Sequence, residues 1–220
     1  MPRASTAFLF DLDGTLADTA PDMARAVNAM RAHRGLDPVP LAQVRPHVSS
    51  GARGLLQSAF GVGPEHGDFP AMREEFLHHY ESAICVETAL FPGVDSLLSA
   101  IEAKPLAWGI VTNKHERYTH PLVAALGLAS RAGVVVGGDT CERAKPFPDP
   151  LLFAAKRLAV PPSAVLYVGD DVRDVHAARA AGMAVVAAGY GYLGEGLPPH
   201  QWGADAVVAH AGEIAPHAGL

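Results

Sequence analysis

Two spacings of apolar residues divide the chain. Phe8–Phe10, Ala107–Val111, Val134–Val136, Val165–Val168, Ala184–Ala188 and Ala206–Val208 are short apolar runs closed by polar or glycine-containing turns, the pattern of buried strands. Between Pro21 and about Ile84 the apolar residues instead recur every three or four positions. Helices are predicted over Pro21–Arg34, Leu41–Val48, Ala52–Phe60 and Phe69–Ile84, separated by Gly35, Ser49-Ser50-Gly51 and Gly61-Val62-Gly63-Pro64. After Phe91-Pro92-Gly93, strands alternate with helices expected near Val94–Ala103, Tyr118–Leu126, Pro150–Leu158 and Asp174–Ala181. Alternation of this kind predicts an α/β fold with a doubly wound parallel sheet. The expected organisation is a core of residues 1–15 and 92–220 with an inserted all-α four-helix domain over 16–91. Leu16–Ala20 and about Glu87–Phe91 would be its tethers, and Gly189–Pro199 a surface loop.

Composition narrows the function. Lys and Arg total 17 against 23 Asp and Glu, a formal charge of −6, which argues against a nucleic-acid or anionic-membrane surface and for a small soluble partner. Met1–Thr6 carries no charged-then-apolar leader, and no uncharged apolar stretch approaches the roughly 18 residues of a spanning helix. A cytoplasmic protein is expected, monomeric or weakly dimeric. Cys85 and Cys141 lack CxxC spacing and read as reduced thiols.

The polar residues at the strand ends carry the chemistry. Asp11 and Asp13 follow the first strand and would share one side if the extended conformation persisted. Two carboxylates about 4 Å apart repel by roughly 4 kcal/mol at an effective dielectric of 20, so a cation is the first hypothesis. Thr112-Asn113 ends another strand and offers a hydroxyl and an amide to an anion or, alternatively, to a helix N-terminus. Lys145 stands in the proline-rich turn Lys145–Pro150. Asp170, Asp171 and Asp174 crowd the end of a further strand, where they would either cap a helix or surround a hard cation. Oxygen-only donors favour Mg²⁺ over zinc. His78, His79, His115 and His120 show no carboxylate or cysteine partner at ligand spacing and are expected on helix surfaces.

Asp11-Leu-Asp13-Gly-Thr-Leu-x-Asp18, Thr112-Asn113, Lys145-Pro146 and Gly169-Asp170-Asp171-x-x-Asp174, in that order, resemble the four motifs of the haloacid dehalogenase-like hydrolase superfamily. The resemblance spans nearly the whole chain and implies a phosphoric monoester hydrolase. It implies that Asp11 is a nucleophile passing through an aspartyl-phosphate and that Asp13 is the acid and base. Thr112, Asn113 and Lys145 would hold the phosphoryl group. Mg²⁺ would be held by Asp11, Asp13 through its backbone carbonyl, and Asp170, with Asp171 and Asp174 as ligands or their supports. Phe91-Pro92-Gly93-Val94 and Lys145-Pro146-x-Pro148 resemble the phosphoglycolate phosphatase branch. Val48–Arg53 and Gly189-Tyr190-Gly191-Tyr192 resemble the N-acetylmuramic acid 6-phosphate phosphatases of cell-wall recycling.

Ser49, Ser50 and Arg53 are the expected substrate-reading residues, with Arg53 either meeting a substrate carboxylate or remaining solvated. Lys114 either supports the phosphate loop or faces solvent, and Tyr190 and Tyr192 either line the site or pack. A phosphosugar mutase shares the same motifs, and a binding or regulatory module without turnover is the alternative of another class.

Overall fold

The computed structural model describes residues 5–194 and 196–217; the expected outer limits of the core at residues 1 and 220 lie outside them. The chain enters through β1 (Ala7–Phe10) and turns into the short β2 (Ala17–Asp18). Helices α1 (Ala20–His33), α2 (Leu41–Val44), α3 (Gly51–Phe60) and α4 (Phe69–Glu81) follow, and β3 (Ala89–Leu90) returns antiparallel to β2. Then come α5 (Val94–Glu102), β4 (Ala107–Val111), α6 (Glu116–Ala125), β5 (Val134–Val136) and α7 (Asp149–Arg157). The described chain closes with β6 (Val165–Gly169), α8 (Val172–Ala180), β7 (Ala184–Ala188), β8 (Ala206–Val208) and α9 (Ile214–His217).

Six strands pair in parallel in the order β5-β4-β1-β6-β7-β8, so the first strand is central. Its residues alternate between two cores, as period-two geometry requires. Phe8 and Phe10 join Leu98 and Ile101 of α5 and Leu122 of α6. Ala7 and Leu9 join Leu151 of α7 and Ala177 of α8. At roughly 1.5–3 kcal/mol for each large side chain buried, both layers hold β1 in place. This is the doubly wound α/β sheet the alternation predicts.

The helices between β2 and β3 have their own apolar centre. Met23, Val27 and Met30 of α1 meet Leu55 and Leu56 of α3 and Met72 and Phe76 of α4. The predicted Leu41–Val48 helix stops early: Pro46 has no N–H to donate, and Arg45–Ser50 tightens into a 3-10 turn. α8 begins before the expected Asp174 because the Asp171 carboxylate caps it. Where the chain crosses between helices and sheet, Asp22 of α1 is buried and accepts bonds from the Val86, Glu87 and Thr88 N–H groups, the Thr88 hydroxyl and Arg25. Burial alone would raise its pKa, but these donors hold it below the ordinary carboxylate value. No helix among the described residues is long and apolar enough to cross a membrane.

Candidate active site

The site forms where the parallel strands end, the place open α/β sheets reserve for ligands. The Asp11 N–H extends the ladder once more to Val168 O at 2.9 Å. The chain then turns, with the Leu16 and Ala17 N–H groups both bonded to Leu12 O. The extended conformation therefore ends before Asp13, and the two carboxylates acquire different partners. Gly14 completes the turn at φ 87°, and a Cβ there would lie 2.1 Å from an Asp170 carboxylate oxygen. Only glycine fits.

Asp11, Asp170 and Asp174 each turn a carboxylate oxygen toward a common point, all within 4.8 Å of one another. Lys145 is buried among them, 2.9 Å from Asp11 and 2.6 Å from Asp174. Burial lifts the Asp11 carboxyl from 3.8 to about 6, with neighbouring Asp174 adding to it against the pull of Lys145. Burial pushes Asp170 well above the ordinary range, reinforced by the charges of Asp11 and Asp174. Burial alone would lower Lys145, but the two carboxylates hold it above a free lysine.

The other two aspartates are neutralised separately. Asp13 receives the Lys114 ammonium on both oxygens, at 2.9 and 3.2 Å, and the Thr19 hydroxyl at 2.6 Å. Asp171 is bound by Arg173, whose charge and hydrogen bonds outweigh burial and keep its pKa low. Asp13 was expected to meet the metal through its backbone carbonyl and Asp171 as a ligand or a support; the side chains of both stand outside the carboxylate cluster, each bound to its own cation. Of the two alternatives for Lys114, support of the phosphate loop is the one the structure shows, and Arg173 adds a further positive charge. Five carboxylates thus face three cations, and the two uncompensated charges fall in the cluster around Lys145. Oxygens within 4.8 Å of one another approach the roughly 4.2 Å width of an octahedral Mg²⁺ shell, so the donor set fits that ion.

Thr112 is buried and its Oγ1 accepts from the Lys114 N–H, which leaves its own O–H to donate. Both ends of the Asn113 amide are spent on the Lys145 backbone, at 2.9 and 3.0 Å, so Asn113 positions the lysine turn through its side chain. Tyr167 supports the same lysine, its hydroxyl 2.9 Å from the ammonium and 3.0 Å from Asp174. Sequence reading missed Tyr167 because a tyrosine inside an apolar strand looks like core.

Tyr192 packs and connects; it does not line the cavity. Its N–H donates to Asp170 at 2.8 Å, and its hydroxyl binds the Thr19 and Ala20 N–H groups at the start of α1. Tyr190 bonds the Thr15 carbonyl. The metal reading of the histidines changes in one respect: His79 does have a carboxylate one turn back, Glu75, with His33 beside it. Both Glu75 oxygens are already taken by the Arg34 fork at 2.7 and 2.6 Å.

A cavity of about 340 Å³ lies between these groups and the helices. Asp11, Asp13, Thr112, Lys114 and Lys145 form its floor. Ser49, Ser50, Arg53, Arg73, Phe76 and Tyr80 reach in from above, and Arg173 beside the floor donates to the Ser49 carbonyl at 2.6 Å.

A family model described as haloacid dehalogenase-like hydrolase matches residues 8–188. The chain belongs to the haloacid dehalogenase-like hydrolases. An N-acetylmuramic acid 6-phosphate phosphatase of Pseudomonas aeruginosa is 44% identical over 208 residues, covering 94% of this chain and 92% of that one. A phosphoglycolate phosphatase of Xanthomonas campestris is 48% identical over 209 residues, covering 94% and 93%. Among solved structures, a predicted phosphoglycolate phosphatase from Haemophilus somnus superposes with a TM-score of 0.84 at 28% identity over 97% of both chains. Relatives of both names are similar to this hydrolase to nearly the same degree, so identity does not separate the two substrates.

Proposed function

We propose that this hydrolase is a Mg²⁺-dependent phosphatase that cleaves a sugar-sized phosphomonoester, N-acetylmuramic acid 6-phosphate, through an aspartyl-phosphate on Asp11. The observation that carries the phosphoryl chemistry is the Asp11–Asp170–Asp174 cluster, two charges short of neutral around a single buried lysine. Asp11, Asp170 and Asp174 would hold the ion, which when bound supplies the positive charge that lets Asp11 stay ionised and a phosphate dianion approach.

Among the described residues, Asp11 Oδ2 makes no hydrogen bond, while Oδ1 is fixed by the Leu12 N–H and Lys145. That oxygen attacks phosphorus and the ester bond breaks. Asp13 donates its proton to the departing oxygen, then takes one from the water that hydrolyses the intermediate. Lys145 and the Thr112 hydroxyl bind the charge that builds on the transferring oxygens.

The cavity favours the larger substrate. Pockets that enclose drug-sized ligands begin at roughly 300 Å³, and a two-carbon acid would leave most of this one to water. We assign the helices over residues 16–91 the part of a cap that selects the leaving group, with Arg53 placed to meet a carboxylate. Phosphate release should be measured from N-acetylmuramic acid 6-phosphate, phosphoglycolate and simple sugar phosphates, with Mg²⁺ and with EDTA. The highest kcat/KM on the muramic acid ester, lost in EDTA, is expected. Preference for phosphoglycolate would overturn the substrate, and full activity in EDTA would overturn the metal.

A further inference from the structure

Two buried hydroxyls in the cavity make no hydrogen bond among the described residues. Tyr80 is 2% exposed and, among the described residues, its Oη has no hydrogen-bond partner; the Ser49 Oγ is likewise buried without one. Both line the cavity, from α4 and from the 3-10 turn before α3. Burying a hydroxyl without a partner costs stability, so native proteins rarely keep one that serves no purpose.

Packing does not explain the Tyr80 hydroxyl. The ring stacks on Phe76, with centroids 6.1 Å apart and planes 3° apart, and the Lys114 ammonium sits 4.8 Å from its centroid. Phenylalanine would make both ring contacts and lose only the pull of the Lys114 charge on the phenol oxygen. Lys114 is committed to the two oxygens of Asp13, the group assigned to protonate the leaving oxygen. Tyr80 therefore stands next to the point where the leaving group begins. Burial raises its phenol to about 12, which keeps it a neutral donor. Alanine would likewise replace Ser49 without loss of any described bond, since its contact with Arg173 is through the backbone carbonyl.

We propose that Tyr80 Oη and Ser49 Oγ read the polar atoms of the leaving group, selecting a hydroxyl- or amide-bearing sugar phosphate over a phosphate ester without such groups. This rests on the phosphatase reading; it adds Tyr80 and gives Ser49, already expected to read the substrate, the atom through which it does so. A site whose buried polar groups await partners discriminates strongly against ligands that leave them unpaired.

The test compares wild type, Tyr80→Phe and Ser49→Ala on N-acetylmuramic acid 6-phosphate and on phenyl phosphate, with thermal unfolding of each protein. The ratio of kcat/KM between the two substrates should fall about tenfold in each variant, with Tm equal to or above wild type because an unpaired buried hydroxyl has been removed. An unchanged ratio overturns the inference, whichever way Tm moves. A wild type active on the sugar ester whose variants keep the ratio leaves the phosphatase reading intact. A wild type that hydrolyses phenyl phosphate but no sugar phosphate overturns the sugar reading and this inference together.

Discussion

Asp22 and Asp11 are buried aspartates of one chain held by opposite means. Asp22 takes three backbone N–H groups, the Thr88 hydroxyl and Arg25, and its pKa is lowered in spite of burial. Asp11 shares one lysine with Asp174, faces Asp170, and is raised to about 6. Burial is common to both. The difference is the supply of donors: where the fold provides enough, a carboxylate stabilises it, and where it provides too few, the protein carries a cost that a bound cation would relieve. That contrast separates a structural acid from a functional one.

The largest effect is expected from Asp11→Asn, which removes the proposed nucleophile. Mg²⁺-dependent phosphate release should drop by at least about 10⁴-fold in steady-state assays. Retained turnover would place the chemistry elsewhere.

Asp22→Ala leaves several buried N–H groups unpaired and should cost about 3 kcal/mol, lowering Tm by roughly 6–12 °C, while the folded fraction keeps its kcat. Because the folded pKa of Asp22 is depressed, its contribution is present above the unfolded value near 4 and is lost as pH falls below it. The gap between wild type and Asp22→Ala should close in acid melts, and a gap that persists there would argue against an ionised Asp22.

Lys114→Met frees Asp13 from its partner without emptying the space. A fall in kcat of about 10²-fold with little change in KM is expected from rate measurements; a change in KM alone would make Lys114 a binding residue. Smallest is Arg53→Ala, which should raise KM about tenfold for a carboxylate-bearing ester and leave kcat unchanged. Equal KM values would return Arg53 to solvent.

Much of this was readable before any coordinates. The six strands are short and their apolar runs end in unmistakable polar residues, so Val165–Val168 and Asp170 could be placed from the pattern alone. The helix after Leu41 was overestimated because apolar spacing is blind to what Pro46 does to the backbone. Arg173 and Tyr80 are missed as site residues, and Lys114 is left open between the phosphate loop and solvent, for another reason. A lysine beside a loop, an arginine on a helix and an aromatic on an amphipathic face have ordinary surface or core uses, and only tertiary contact shows Lys114 on Asp13. Asp171 illustrates how such alternatives resolve, since its place among acids allowed a ligand, a support or a helix cap, and the start of α8 and Arg173 take its carboxylate.

The most direct test of the contrast is thermal unfolding of metal-free wild type and Asp11→Asn from pH 4 to 7.5. The raised folded pKa of Asp11 means that its stabilising share is complete below the unfolded value and disappears as pH rises through about 6. Asp11→Asn keeps an acceptor for Lys145 and the Leu12 N–H without the charge. It should therefore melt close to wild type at pH 4 and several degrees above it at pH 7.5, and Mg²⁺ should then raise the wild type alone. A variant that melts below wild type at pH 7.5, with Mg²⁺ shifting both proteins equally or neither, would contradict the account.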